Sequence, residues 1–173
     1  NMKIVDAEVV DRYNGTIQVT VSKEKKRIQN KSVRLILNNE KEFGLFNDDV
    51  WEKFNKSVFK TKSDLKKILK QLKNDGKSVV ANSCPGRCST LLNFCDIGKE
   101  LIPYIAEQPT SHKLNKFLPG KHIPILDNKI LFEEQPDYVL TLAWHYAETI
   151  NKSLKARGLK SRFIIPLPEV KII

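Results

Sequence analysis

From residue 77 onward, short apolar runs alternate with helical patterns, and this alternation constrains the fold more than any other feature of the chain. The runs are "KSVVANS" (77–83), "LIPYIAE" (101–107), "HIPIL" (122–126), "DYVLTLA" (137–143) and "RFIIPLP" (162–168). They are apolar at consecutive positions, as expected of strands whose two faces are both covered. Helical patterns fall at 88–97, 127–134 and 145–157, and a Pro, Gly and Lys loop runs to 121. Such alternation predicts an α/β fold: a mainly parallel sheet with helices on both faces.

The first part of the chain reads differently. "KIVDAEVV" and "TIQVTVSK" are β-rich and joined by "DRYNG", whose Asn14-Gly15 is a hairpin turn signal. A short helix is predicted over 32–43, before Gly44. Over 47–76, Trp51, Phe54, Val58, Leu65, Ile68, Leu69 and Leu72 recur at threes and fours, the stripe of one long helix. "TKSD" in its middle is a candidate break or bend. The expected division is a hairpin and short helix over 1–44 and the α/β domain over 45–173.

A chain of 173 residues that is 40% hydrophobic has enough apolar material for a sizeable core. Its formal charge of +10 favours anionic partners, namely phosphorylated small molecules, nucleic acid or acidic membranes, or else marks a Lys-rich solvated surface. The densest basic run, "KEKKR" at 23–27, reads as a loop. No Arg-rich helix or RNA-binding aromatic motif accompanies it, which argues against nucleic acid. No signal peptide or long apolar segment is present, so no membrane partner is expected and a cytoplasmic location is.

In an open parallel sheet, ligands bind beyond the carboxyl ends of the strands. After the first strand of the alternating region stands "SCPGRCST" (83–90). Ser83, Pro85 and Gly86 form a strand-to-helix turn, Gly86 permits close approach, and Ser89 and Thr90 would open the helix. Free N–H groups at a helix start favour an anion, and Arg87 adds a charge able to grip phosphate. An ordinary capped turn reads the same way. The dinucleotide fingerprint is absent, since Ala81, Ser83 and Gly86 stand where its glycines would.

Cys84, Cys88 and Cys95 do not fit a metal. A radical-type iron–sulfur site would need a third cysteine at Leu91, and His112, His122 and His145 lie on separate segments. A thiol near a helix N-terminus can have a lowered pKa, but packing thiols are the simpler expectation. After the second strand, Glu107 is placed to take hydroxyls, or is a surface acid. Lys113, Lys116 and Lys121 flank a Pro-Gly turn and face either a diphosphate or solvent. After the fourth strand, "AWHYAE" sets Trp144 and His145 at a strand-to-helix junction with Glu148 one turn on, a pocket lining or a core Trp with a capping His. No Ser/His/Asp order suggests a nucleophile triad.

These stretches, in this order, resemble the C-terminal domain of SAM-dependent sugar C-methyltransferases. The resemblance is carried by "GKSVVANSCPGRCSTLLNF", "YIAEQPTSHKLNKFLPGKHIPI", "QPDYVLTLAWHYAETI" and "SRFIIPLPE", over roughly residues 45–170. "YNGTIQV" is similar to the hairpin that closes the preceding domain of that family. The resemblance implies a Rossmann-like domain that holds a nucleotide sugar. The zinc-binding module, the SAM-binding domain and the catalytic base of such proteins have no counterpart in these residues. No cofactor is therefore expected on this chain, and SAM only in the full architecture.

The resemblance also implies Ser83, Pro85, Gly86, Arg87, Ser89 and Thr90 around phosphate, Glu107 and Lys113 near hydroxyls and diphosphate, and His122, Trp144, His145 and Glu148 about the pocket. There are departures. The glycine-rich loop common in the family reads Ala81-Asn82-Ser83-Cys84-Pro85-Gly86-Arg87-Cys88, with Arg87 keeping the charge of a family Lys. Glu107 replaces a usual Asp, and Asn115 a frequent Gly.

The expectation is a substrate-binding domain without methyl transfer of its own, being a piece, a separately encoded half or a remnant. The alternatives are a non-catalytic module that pairs with a separate catalytic subunit or with itself, and a basic nucleic-acid binder.

Overall fold

The computed structural model describes residues 1–13 and 15–173. They form two compact units, Asn1–Lys56 and Ser57–Ile173.

In the first unit, β1 (Lys3–Val10) pairs antiparallel with β2 (Thr16–Ser22), placing Val9 opposite Ile17 and Ala7 opposite Val19. Of the hairpin signal at Asn14-Gly15, Asn14 lies outside the described residues; Gly15 takes φ 113°, the left-handed region that favours glycine. Helix α1 (Lys31–Phe43) packs on β1, with Val33, Val5 and Ala7 buried. Gly44 ends it at φ 82°, its N–H donating to the Lys41 carbonyl while Leu45 N–H reaches back to Glu40.

Helix α2 (Asp48–Asn74) contains the boundary between the units and runs through "TKSD" without a break. None of Thr61, Lys62, Ser63 or Asp64 removes a backbone donor as proline would. Its apolar stripe is buried only in the second half, at Leu65, Leu69 and Leu72, while Trp51 and Phe54 are exposed.

The second unit holds β3 (Val79–Asn82), α3 (Gly86–Phe94), β4 (Ile105–Glu107), β5 (Ile125–Asp127), α4 (Ile130–Glu134), β6 (Tyr138–Thr141), a 3₁₀ turn (Trp144–Tyr146), α5 (Ala147–Ala156), β7 (Arg162–Ile165) and β8 (Lys171–Ile172). The sheet order is β5-β4-β3-β6-β7-β8. The first five strands are parallel and β8 is antiparallel to β7. Alternate residues feed two apolar layers, as the strand pleat requires. Val79, Ala81, Leu140 and Ile164 join Leu65, Leu69 and Leu92 on one face. Val80, Val139 and Phe163 join Leu131 and Leu154 on the other.

The paired strands are shorter than the apolar runs that announced them. Leu101 and Ile102 are buried, but the ladder to β3 begins only at Ile105, because an apolar run reports burial and not pairing. At the amino ends of β3 and β6, the Asp137 carboxylate accepts from both the N–H and the hydroxyl of Ser78, and Asp137 N–H donates back to that hydroxyl. The segment after α3 closes on the outer side of β5: Asn115 N–H donates to the Ile125 carbonyl and Ile125 N–H to the Lys116 carbonyl, each at 2.9 Å.

Candidate functional site

From β3 the chain crosses to β4 on one side, and later returns to place β6 on the other. Neighbouring loops therefore leave the carboxyl ends of β3 and β6 in opposite directions, which opens a crevice where open α/β sheets hold their ligands. A cleft of about 720 Å³ lies here. One flank is the turn Ser83-Cys84-Pro85 with Glu107 and Lys113; the other is α5, through Thr149, Ser153 and Arg157.

The first flank is built by backbone satisfaction. Ser83 adopts φ 69°, left-handed for a residue with a side chain, and turns the chain sharply off β3. The next peptide is gripped from both ends. Cys84 N–H donates to Glu107 Oε2 at 2.8 Å, and Lys113 Nζ donates to the Cys84 carbonyl. The other Glu107 oxygen accepts from Gln108 N–H at 2.9 Å. The acid thus ties β4 to the β3 turn while facing the cleft.

Helix α3 begins at Gly86, earlier than the 88–97 pattern suggested, because Pro85 with its fixed φ (−66°) serves as the residue before the first turn. Ser89 and Thr90 consequently sit inside the helix and do not open it. Ser89 Oγ and Asn93 Nδ2 both donate to the Pro119 carbonyl, which fastens the Pro-Gly turn to α3. A Cβ on Gly86 would meet nothing within 4 Å, so the turn needs its glycine for no internal contact.

All three thiols are free and buried. Cys84 and Cys88 Sγ lie 3.6 Å apart within the larger apolar layer. The contact between the two sulfurs holds the Cys84 pKa down against burial, with Lys113 assisting; the same contact and burial push Cys88 up. Cys95 is raised by burial.

Beside the cleft mouth, the Arg87 guanidinium lies 5.7 Å from the centre of the Trp144 ring, which is tilted against His145. Burial first and the Arg87 charge second lower the His145 pKa below its usual 6.5, so the ring is neutral at pH 7.

The remaining expected residues lie elsewhere. Glu148 is exposed and paired with Lys152 at 2.7 Å, and His122 is exposed in a loop at φ 51°. Lys121 is held by Asp96, which Lys66 also binds. Of the twelve residues singled out in the sequence, the cleft gathers Ser83, Pro85, Glu107 and Lys113, with Arg87, Trp144 and His145 forming a group of their own beside it.

Sequence reasoning missed the α5 flank. Thr149 and Ser153 of α5 and Arg157, the residue that ends it, are spaced by four and all line the cleft, as does Asn128. The fourfold spacing on a helix that follows a central strand was the available signal. Among the described residues, no group of three or more His, Cys, Asp or Glu is arranged to hold a metal, and no helix is long and apolar enough to cross a membrane.

A mainly parallel, open α/β sheet with a cleft at its switch point defines a domain of doubly wound type. The chain belongs to the C-methyltransferase C-terminal domain family, whose model matches residues 12–168. It is also similar to a C-methyltransferase, NovU, of Streptomyces niveus, with 28% identity over 174 residues. That alignment covers 99% of this chain and 41% of the relative, so the chain spans less than half the length of the curated protein it matches.

Proposed function

We infer that this chain is the substrate-holding domain of a sugar C-methyltransferase, and that its cleft takes a nucleotide sugar through the diphosphate and neighbouring hydroxyls. The observation that carries the reading is the cleft's composition. Arg157 supplies a cation on one flank, Lys113, anchored at the Cys84 carbonyl, a second on the other, and Ser83, Thr149 and Ser153 supply hydroxyl groups between them. Those groups match a polyhydroxylated anion, and Pro85, Pro109, Ala143 and Ile150 give the same cleft apolar wall. Arg87 and Trp144, beside the mouth, offer a charge and a flat ring to whatever part of the ligand emerges.

SAM, the methyl donor of the family architecture, does not fit these residues. The turn that would be glycine-rich carries Cys84 and Pro85, and Glu107, the acid that would take ribose hydroxyls, is already bonded through both oxygens to backbone N–H groups. The donor's site and the base that activates the sugar carbon are assigned to the part of such proteins that this chain does not span, and this chain alone transfers no methyl group.

A second reading is a module that pairs with a separate catalytic subunit. It draws on Ile17, Val19 and Val21 of β2, all nearly half exposed, an apolar hairpin surface of the kind that partners cover.

Calorimetry with uridine and thymidine diphosphates and with SAM tests the first reading. Binding of a nucleoside diphosphate with none of SAM is expected. SAM binding at micromolar strength, with no diphosphate binding, overturns it.

A further inference from the structure

The feature that the substrate reading leaves unused is the pair Cys84 and Cys88. Four residues separate them, and in this local fold the interval brings their sulfurs together. Cys84 precedes the start of α3, and Cys88 sits in its first turn, its N–H bonded to the Pro85 carbonyl at 3.0 Å. The sulfurs are 3.6 Å apart. A disulfide needs about 2.05 Å, so closing the bond requires roughly 1.5 Å of approach between two side chains that already face each other. Among the described residues no second sulfur lies against Cys95, the third thiol, whose pKa burial raises.

Access is asymmetric. Both side chains are almost wholly buried, yet Cys84 forms part of the cleft wall and Cys88 does not. A small thiol reagent entering the cleft therefore reaches the Cys84 stretch of wall first, behind which the sulfur lies in the apolar layer, in the company of the Lys113 ammonium, which is held at the Cys84 carbonyl. The surroundings also differ: the Lys113 ammonium lies at the Cys84 end of the pair, and the Cys84 pKa is lowered while that of Cys88 is raised. That is the arrangement of an attacking and a resolving cysteine.

We propose that Cys84 and Cys88 are a redox modification site that closes into a reversible disulfide by exchange with low-molecular-weight disulfides entering through the cleft. In the first step the Cys84 thiolate attacks one sulfur of R–S–S–R. A Cys84–S–S–R bond forms and R–S⁻ leaves. In the second, the Cys88 thiol gives its proton to solvent and its sulfur attacks Cys84 Sγ. The protein disulfide forms and a second R–S⁻ leaves. Two cysteine thiols are oxidised and one external disulfide is reduced to two thiols; an added dithiol reverses the sequence.

The product tightens the segment Cys84-Pro85-Gly86-Arg87-Cys88 into a covalent ring. The Cys84 peptide, held by Glu107 and Lys113, lies at one end of that ring, so oxidation acts directly on the first flank of the cleft. The exchange depends on the cleft as an entrance and not on what it binds, so it stands or falls apart from the nucleotide-sugar reading.

The test is thiol mapping of the native chain after incubation with excess oxidised glutathione. Acid quenching, alkylation, tryptic digestion and mass spectrometry follow. Trypsin cleaves after Arg87, so a Cys84–Cys88 bond holds two fragments together that otherwise separate. Loss of two of the three free thiols is expected, with the 78–87 and 88–99 fragments linked and Cys95 alkylated. Cys88→Ser is expected to stop at the first step, retaining one glutathione on Cys84. Dithiothreitol should restore all three thiols in the unsubstituted chain.

Three results would each overturn the proposal: three alkylated thiols after native incubation, a linkage through Cys95, or a bond that forms only in denaturant. Mapping of the unsubstituted chain decides the matter even if the Ser variant folds poorly.

Discussion

The two flanks of the cleft are made in opposite ways. On the β3–β4 side, the charged groups serve the backbone: Glu107 takes the Cys84 and Gln108 N–H groups, and Lys113 takes the Cys84 carbonyl. On the α5 side, Thr149, Ser153 and Arg157 stand on an exposed helix face, and Arg157 lies over the Phe132 ring at 4.3 Å. The first flank cannot be changed without disturbing the turn that shapes the cleft. The second can be changed with the fold left in place. A binding residue and a positioning residue thus look alike in sequence, as polar groups near strand ends, and differ only in what their atoms already hold.

The sharpest way to break this contrast is Glu107→Ala. It leaves the N–H of buried Cys84 without its acceptor, so a stability loss of about 1–3 kcal/mol is expected in denaturant unfolding. Glu107→Gln, which keeps one acceptor oxygen, should recover part of it. A loss below that range would mean that the acid is not a structural tie.

Arg157→Ala should do the reverse. Unfolding should stay within about 0.5 kcal/mol, as for surface positions generally, while the affinity for a nucleoside diphosphate falls roughly tenfold or more, as removal of a charge-assisted contact does. Equal affinity would remove α5 from the site.

A smaller effect is expected at the group beside the mouth. Arg87→Gln should move the His145 pKa upward, toward 6.5, with burial still holding it below that value; an NMR titration of the ring reads it. The sign for stability follows from the depressed pKa. Protonation favours the unfolded chain, so the contribution of neutral His145 is complete above pH 6.5 and is lost as pH falls through and below that value. The variant should therefore be less acid-sensitive over that range than the parent.

The smallest effect belongs to Glu148→Gln, whose exposed pair with Lys152 does not line the cleft. No change in diphosphate binding is expected, and a change would bring that helix face into the site.

The fold was legible where burial is two-sided. Continuous runs marked the central strands: Val79 to Asn82 and Val139 to Leu142 are buried at every position, as a strand between two layers is. Strand length was not legible, since pairing depends on neighbours distant in sequence: "LIPYIAE" contributes three paired residues and a buried approach. β8 was missed because two residues, Lys171 and Ile172, carry no period.

In the site, the position of the β3 turn could be read, but its working parts could not. Gly86 drew notice as the permissive residue, yet the left-handed backbone falls on Ser83. Ser89 and Thr90 looked like a helix start because Ser and Thr favour that place, but proline at 85 set the start earlier. The contact between Cys84 and Cys88 depends on where α3 begins, which the sequence pattern misplaced.

One consequence concerns the borders of the sheet. A bare border strand offers a row of free N–H and C=O groups on which another chain can add itself, the route to strand-swapped and fibrillar association. Here β5 has Asn115 and Lys116 bonded along its outer side, and beyond β7 the border is β8, only two residues long. Neither border of the sheet presents a long open template. The six-stranded sheet should therefore resist joining border to border even though its central strands β3, β6 and β7 are rich in residues that favour such joining, and any self-association should be sought on other surfaces.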